Sequence, residues 1–143
     1  MPRLVYFIAC EKVLVGEEDK SPSLITLFDQ VIVPVPPPEA TGVQAGMRWS
    51  LVSYWLKLPE DEGKQYEQRT LLLSPDGEER GEVTLKFELT GSRHRNTIRV
   101  FGFPVTTAGN YLAKLSIREV GSQDWVEVTD YPISVIHSND IPV

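Results

Sequence analysis

About eight stretches rich in Val, Ile, Leu, Thr and aromatic residues, each ended by a cluster of Gly, Pro, Asp, Asn or Ser, run the length of this chain. β-Branched and aromatic residues suit a pleated, half-buried surface, and the residues between them readily reverse the backbone. The pattern predicts strands near 3–14, 23–34, 47–58, 66–74, 82–89, 95–103, 109–119 and 125–136. A chain punctuated this often has no room for a helix of more than a turn or two, so the predicted class is all-β.

Two segments fix the inward face. Val83, Leu85, Phe87 and Leu89 alternate with Thr84, Lys86 and Glu88, and Tyr111, Ala113, Leu115 and Ile117 alternate with Lys114, Ser116 and Arg118. A period of two sends one set to the core and the other to solvent. In the second segment Leu112 breaks the alternation. Trp49 and Trp55 share a parity, so both face the core or both face away. The last strand contains Pro132, which removes a ladder donor, and this predicts an edge.

One connection stands apart. Residues 35–46 begin Val-Pro-Pro-Pro and run extended, because proline fixes φ and donates no hydrogen bond. Twelve residues reach about 40 Å at roughly 3.3 Å each, enough to pass from one sheet to another. Since no other connection is this long, the segment is the predicted crossing, and its position predicts a variant strand order.

The chain has 143 residues, 41% apolar and 24% charged, which fits one sandwich domain over 1–143. Fourteen basic and twenty acidic residues leave a net charge of −6, which disfavours nucleic acid as a partner. No apolar run is long enough to span a bilayer as a helix. The N-terminal apolar stretch stops at Glu11 and reads as a strand, not a leader. A single cysteine, Cys10, allows no internal disulfide, and together these features predict a cytoplasmic protein.

The Gly-x-Tyr spacing at Gly109 and Tyr111 resembles the tyrosine corner of immunoglobulin-like sandwiches, and Trp49 resembles their core tryptophan. Ala113 stands where antibody domains carry a bridging cysteine, so the resemblance is to disulfide-free members. Ala9-Cys10-Glu11-Lys12 and Leu24-Ile25-Thr26-Leu27-Phe28-Asp29 are also similar to a family of small bacterial proteins of unknown function. That resemblance implies a bacterial origin and brings no activity with it.

No catalytic constellation is legible. Cys10 lies in an apolar strand, and the histidines are His94 and His137. A thiol nucleophile needs a base beside it and a third group to orient that base. His137-Ser138-Asn139-Asp140 has no second cluster to complete a zinc set, and Glu60-Asp61-Glu62 lacks the ligand spacing of a calcium loop. Neither metal nor cofactor is expected, and the chain reads as a non-enzyme.

What remains is surface. Loops near 59–65, 90–96 and 120–124 fall at one end of a sandwich whose strands alternate in direction, bringing Glu60, Asp61 and Glu62 toward Arg93, His94 and Arg95, with Trp125 nearby. These seven residues form the candidate interaction surface for an unknown protein partner or for self-association. The plainer reading is that the opposite charges pair with one another. Two alternatives stand beside it: a small-ligand or carbohydrate-binding sandwich using Trp49, Trp55 and Trp125, and an enzyme built on Cys10 and a histidine.

Overall fold

The computed structural model describes residues 1–34 and 43–138. Nine strands are formed: β1 Arg3–Val15, β2 Pro22–Leu27, β3 Gln30–Val33, β4 Val43–Leu56, β5 Gln65–Leu73, β6 Glu79–Glu88, β7 Arg93–Val105, β8 Gly109–Glu119 and β9 Val126–His137. A 3-10 turn, Pro59–Asp61, sits between β4 and β5. The strands make a four-stranded sheet ordered β2-β1-β4-β7 and a five-stranded sheet ordered β3-β9-β8-β5-β6. Their facing sides enclose the core, and the fold is a β-sandwich.

The ninth strand comes from the segment expected as one strand over 23–34. It breaks after Leu27. Phe28 is buried at the break, its N–H bonded to Ala9 O at 2.8 Å, while Asp29 O accepts from Ser134 N at 2.8 Å. Consecutive residues are thus held by opposite sheets, and the apolar residues on both sides of Asp29 and Gln30 conceal the change. β3 then pairs with β9 in parallel, from Gln30↔Ser134 to Val33↔His137, so the expected wholly antiparallel arrangement is corrected at this pair.

The same pairing corrects the reading of the last strand as an edge. β3 covers β9 only beyond Pro132, so the edge is confined to its first half. Residues 35–42 of the proline-rich segment lie outside the described residues, but its flanking strands β3 and β4 belong to opposite sheets. It is not the sole crossing: the short turns after β6 and β7 also change sheets.

Alternation governs the inner face. Tyr111, Ala113, Leu115 and Ile117 are all buried, as are Trp49, Leu51 and Trp55 along β4. Burial of each large apolar side chain is worth about 1.5–3 kcal/mol, so these residues carry much of the core. In β7 both Ile98 and Phe103 reach the core although five positions apart, because the β4–β7 register slips by one residue between Arg48↔Phe101 and Ala45↔Phe103, with the extra residue on β4 and Gly102 alone facing it. Gly102 has φ +87°, which only glycine takes freely, and its carbonyl accepts the Trp49 indole N–H at 2.9 Å. Tyr111 closes the β7–β8 turn: its Oη accepts from Thr106 N at 2.8 Å and donates to Thr107 O at 2.9 Å.

Between the sheets lies a polar hub. Gln68 on β5 is 1% exposed, and its Oε1 accepts from Ser53 Oγ at 2.7 Å, Trp55 Nε1 at 3.0 Å and Asn96 Nδ2 at 2.9 Å. His94 Nε2 bonds Asn96 Oδ1 at 2.7 Å and extends the network. One oxygen thereby joins β4 and β7 of one sheet to β5 of the other. Gln68→Leu leaves three buried donors unpartnered at about 1–3 kcal/mol each. Urea denaturation should show a loss of at least about 3 kcal/mol, whereas Gln123→Leu in the exposed β8–β9 turn should change stability by less than about 0.5 kcal/mol.

Candidate functional site

The seven residues singled out from sequence are divided among different surfaces. Lys57 N donates to Ser92 O at 2.8 Å and Val120 N to Gln65 O at 2.9 Å, so the three loops do share one end. Their charges do not meet. Glu60 lies 3.5 Å from the Met1 amino group, and Glu62 pairs with Lys57. Neither Arg93 nor Arg95 forms an ion pair among the described residues.

Asp61 is no surface residue. It is 1% exposed and ties down the 3-10 turn: Oδ2 accepts from Leu58 N at 2.7 Å and Oδ1 from Tyr66 Oη at 2.5 Å. Burial pushes its carboxyl up, but the bonds from Tyr66 and Leu58 outweigh this and hold it below the usual value. Burial, then the neighbouring Asp61, pushes the Tyr66 phenol up, so Tyr66 stays the donor.

His94 faces inward, half-buried, stacked on Phe87 with ring centres 5.2 Å apart. Trp125 lies on the outer side of the five-stranded sheet between two guanidiniums, with Arg118 4.2 Å and Arg69 4.6 Å from the ring centre. Arg118 in turn bonds Glu67 at 2.8 Å. Trp49 and Trp55 are buried, so neither belongs to the exposed aromatic platform considered for a carbohydrate. Cys10 is also fully buried, outside the main core, and burial raises its thiol above the ordinary value.

A different assembly emerges on the outer side of the four-stranded sheet. Because Trp49, Leu51 and Trp55 point inward, the alternate residues of β4 and their ladder partners point out. Those rows read Arg3, Leu56, Arg93; Tyr6, Tyr54, Arg95; Ile8, Val52, Thr97; Cys10, Ser50, Arg99; and Arg48 beside Phe101. Tyr6 and Tyr54 stack with centres 5.2 Å apart, and Arg93 lies 5.9 Å above Tyr54.

The four strands of this sheet carry Arg3, Lys12, Arg48, Arg93, Arg95 and Arg99 against one acid, Glu11. Among the described residues none of these cations is in an ion pair. On the five-stranded sheet, by contrast, Arg80, Lys86, Lys114 and Arg118 have acidic partners, and Arg69, which has none among the described residues, stacks on Trp125. Side chains two apart on a strand are about 6.6 Å apart, where like charges repel by roughly 0.6 kcal/mol even in water. An anion laid over the arginines relieves that repulsion.

The β1–β2 hairpin gives the face a wall. Pairing of β1 with β4 stops at Cys10↔Ser50, while β1 and β2 pair on to Val15↔Pro22. Beyond that fork Val13 and Val15 line a hollow of about 500 Å³ with Ser50, Arg95, Thr97 and Arg99. An adjoining hollow of about 630 Å³ shares Val13, Ser50 and Arg99 and adds Lys12, Leu14, Arg48 and Phe101, with Glu11 the one acid in its lining. Val13, Leu14 and Val15 make the hairpin side of the trough largely apolar, and Arg48, Arg95 and Arg99 make the sheet side cationic.

Compared with known families and curated proteins, the chain matches no family model and no curated sequence. Among the described residues no helix is long and apolar enough to cross a membrane. Sequence reading reached Arg93 and Arg95 but assigned them to a loop end, and it missed Arg3, Lys12, Arg48 and Arg99. Their signal was present as segments nearly free of acids. It becomes a surface only when those segments are known to share a sheet.

The Asp61 clasp has a pH signature. A carboxyl held below its unfolded value of 3.8 contributes stability above that pH and loses it as pH falls through the folded value. Chemical denaturation of the parent chain and of Asp61→Asn should therefore differ most near neutral pH, with the gap closing below about pH 4. A gap independent of pH would place the Asp61 contribution in packing instead.

Proposed function

We propose that this chain is a non-catalytic interaction module whose working surface is the outer side of the four-stranded sheet, and that its partner is a protein presenting a short acidic segment with apolar residues. The observation that carries this reading is the row of unpaired arginines in a chain of net charge −6. A strongly acidic protein that keeps one sheet nearly free of acids has a surface complementary to an acidic partner.

Two features favour a protein segment over a nucleic acid. The trough is bounded by acidic turns, Glu17-Glu18-Asp19 at the hairpin and Glu60 and Glu62 at the opposite end. A long polyanion would run into both. Beside the arginines, Val13 and the exposed Leu14 and Val15 suit leucine-like side chains and offer nothing specific to a phosphate backbone.

The strand order supports an immunoglobulin-like scaffold: β1-β4-β7 over β9-β8-β5-β6 corresponds to A-B-E over G-F-C-C′. On that correspondence Tyr111 occupies the corner of strand F, but Trp49 falls on strand B, not on strand C where the antibody tryptophan stands. A buried, unbridged cysteine is in keeping with a reducing compartment such as the cytoplasm.

Fluorescence anisotropy with a labelled Glu/Leu amphipathic peptide tests the proposal. The peptide should bind, weaken steeply between 50 mM and 300 mM salt, and lose at least about tenfold in affinity with Arg95→Ala/Arg99→Ala. Lys114→Ala, on the other sheet, should leave affinity unchanged. Equal binding by the arginine variant contradicts the assignment of the face, and tighter binding of single-stranded DNA of equal charge contradicts a protein partner.

A further inference from the structure

β6 and β7 are the outer strands of their sheets on the same side of the sandwich, joined by the 89–92 turn. Close to that turn the two sheets meet: Phe87 and Leu89 are buried, and Phe87 stacks on Trp55 with centres 5.9 Å apart. Farther along β6 the inward parity continues but burial does not. Leu85 is half-buried and Val83 is 39% exposed. The strands splay there, leaving a cleft of about 220 Å³ floored by Trp49, Leu51, Leu72 and Ala113.

Two local features keep the cleft open. Gly81 occupies the next inward position on β6 and puts no side chain into the gap; a Cβ there would meet only Leu72 Cβ, at 3.9 Å. Across the mouth, Phe101 points outward by the alternation that sends Ile98 and Val100 inward, and it is 74% exposed. The cleft is largely apolar with one exception in its wall: Thr70 is 4% exposed, and its hydroxyl oxygen has no hydrogen-bond partner. A buried hydroxyl is normally satisfied, and where no partner is needed valine fills the same volume without that cost.

Size and charge narrow the ligand. An apolar cavity of about 150 Å³ accepts benzene, so this one accommodates a single ring with a short substituent. At the mouth Arg80 is engaged by Glu78 at 2.8 Å and Asp76 at 3.7 Å, while Glu82 adds a negative charge. No free cation is offered to a carboxylate or phosphate. The ligand class that fits is neutral.

We propose that the cleft between β6 and β7 is a binding site for a neutral small molecule with one ring or branched apolar body and a single hydroxyl or carbonyl group, which pairs with Thr70. The site adjoins the acidic-partner surface at Val100 and Phe101, but Arg95 and Arg99 do not line it.

Titration of the ¹⁵N-labelled protein with benzyl alcohol and with toluene tests this. Both should give saturable shifts at the Trp49 indole N–H and the Gly81 amide. Thr70→Val should weaken benzyl alcohol about fivefold and toluene less than twofold. Gly81→Leu should fill the cleft and abolish both, with the spectrum elsewhere unchanged, and Gly81→Ala, the smaller step, should weaken both partially. The absence of saturable shifts, or undiminished binding by the glycine variants, overturns the site. Equal weakening of both probes by Thr70→Val overturns the role of the hydroxyl. Arg95→Ala/Arg99→Ala should leave these affinities unchanged whether or not that variant binds acidic peptide.

Discussion

Three donors converge on the carbonyl oxygen of Gln68, and the geometry of both sheets depends on that convergence. Apolar contacts press the layers together without direction. The hub supplies direction, because Ser53, Trp55 and Asn96 reach a single acceptor only in one relative position of β4, β5 and β7. It also sets parity. A slip of one residue in β7 would turn Asn96 out and Arg95 in, exchanging a satisfied amide for a buried cation. The outward row of arginines is therefore a consequence of the polar contact made on the opposite side of the same strand.

From this fixed region the sandwich loosens in two directions. Toward residues 79–83 the β6 edge departs from β7 and leaves the cleft beside Thr70. Beyond Cys10 the β1–β2 hairpin leaves β4 and becomes one wall of the cationic trough. Thr26 marks that departure: it lies opposite Glu11 in the β1–β2 register and has φ +56°, a conformation that costs a β-branched residue on the order of 1–3 kcal/mol. Both hollows thus lie where ladder pairing or sheet contact ends, a short distance from a region held by hydrogen bonds.

Much of the fold was legible because period-two alternation is a local property. The inward sets on β6 and β8 and the shared parity of Trp49 and Trp55 follow from neighbours in sequence. The break between β2 and β3 did not, since apolar residues flank Asp29 and Gln30 on both sides and only Ala9 and Ser134, far away in the chain, reveal the change of sheet. The register slip opposite Gly102 was hidden similarly, and it decides that Phe103 faces the core. For the candidate site the obstacle was electrostatic. A net charge of −6 describes the whole chain, whereas the cationic face arises from residues on β1, β4 and β7 that meet only through pairing. Asp61 was misplaced for a related reason: Glu60-Asp61-Glu62 reads as one exposed acidic turn, yet the fold buries its middle member against Tyr66.

Charge segregation is the account's central claim, and paramagnetic relaxation by small nitroxide co-solutes measures it most directly. With the ¹⁵N-labelled protein at low salt, an anionic nitroxide should broaden amides around Arg48, Arg95 and Arg99 more than a cationic one does, while the reverse should hold around Glu78, Glu79 and Glu82. The contrast should fade as salt is raised and the field is screened. If the anionic probe is instead repelled from the whole surface, as the net charge alone would dictate, the outer side of the four-stranded sheet is not a cationic face and the account fails.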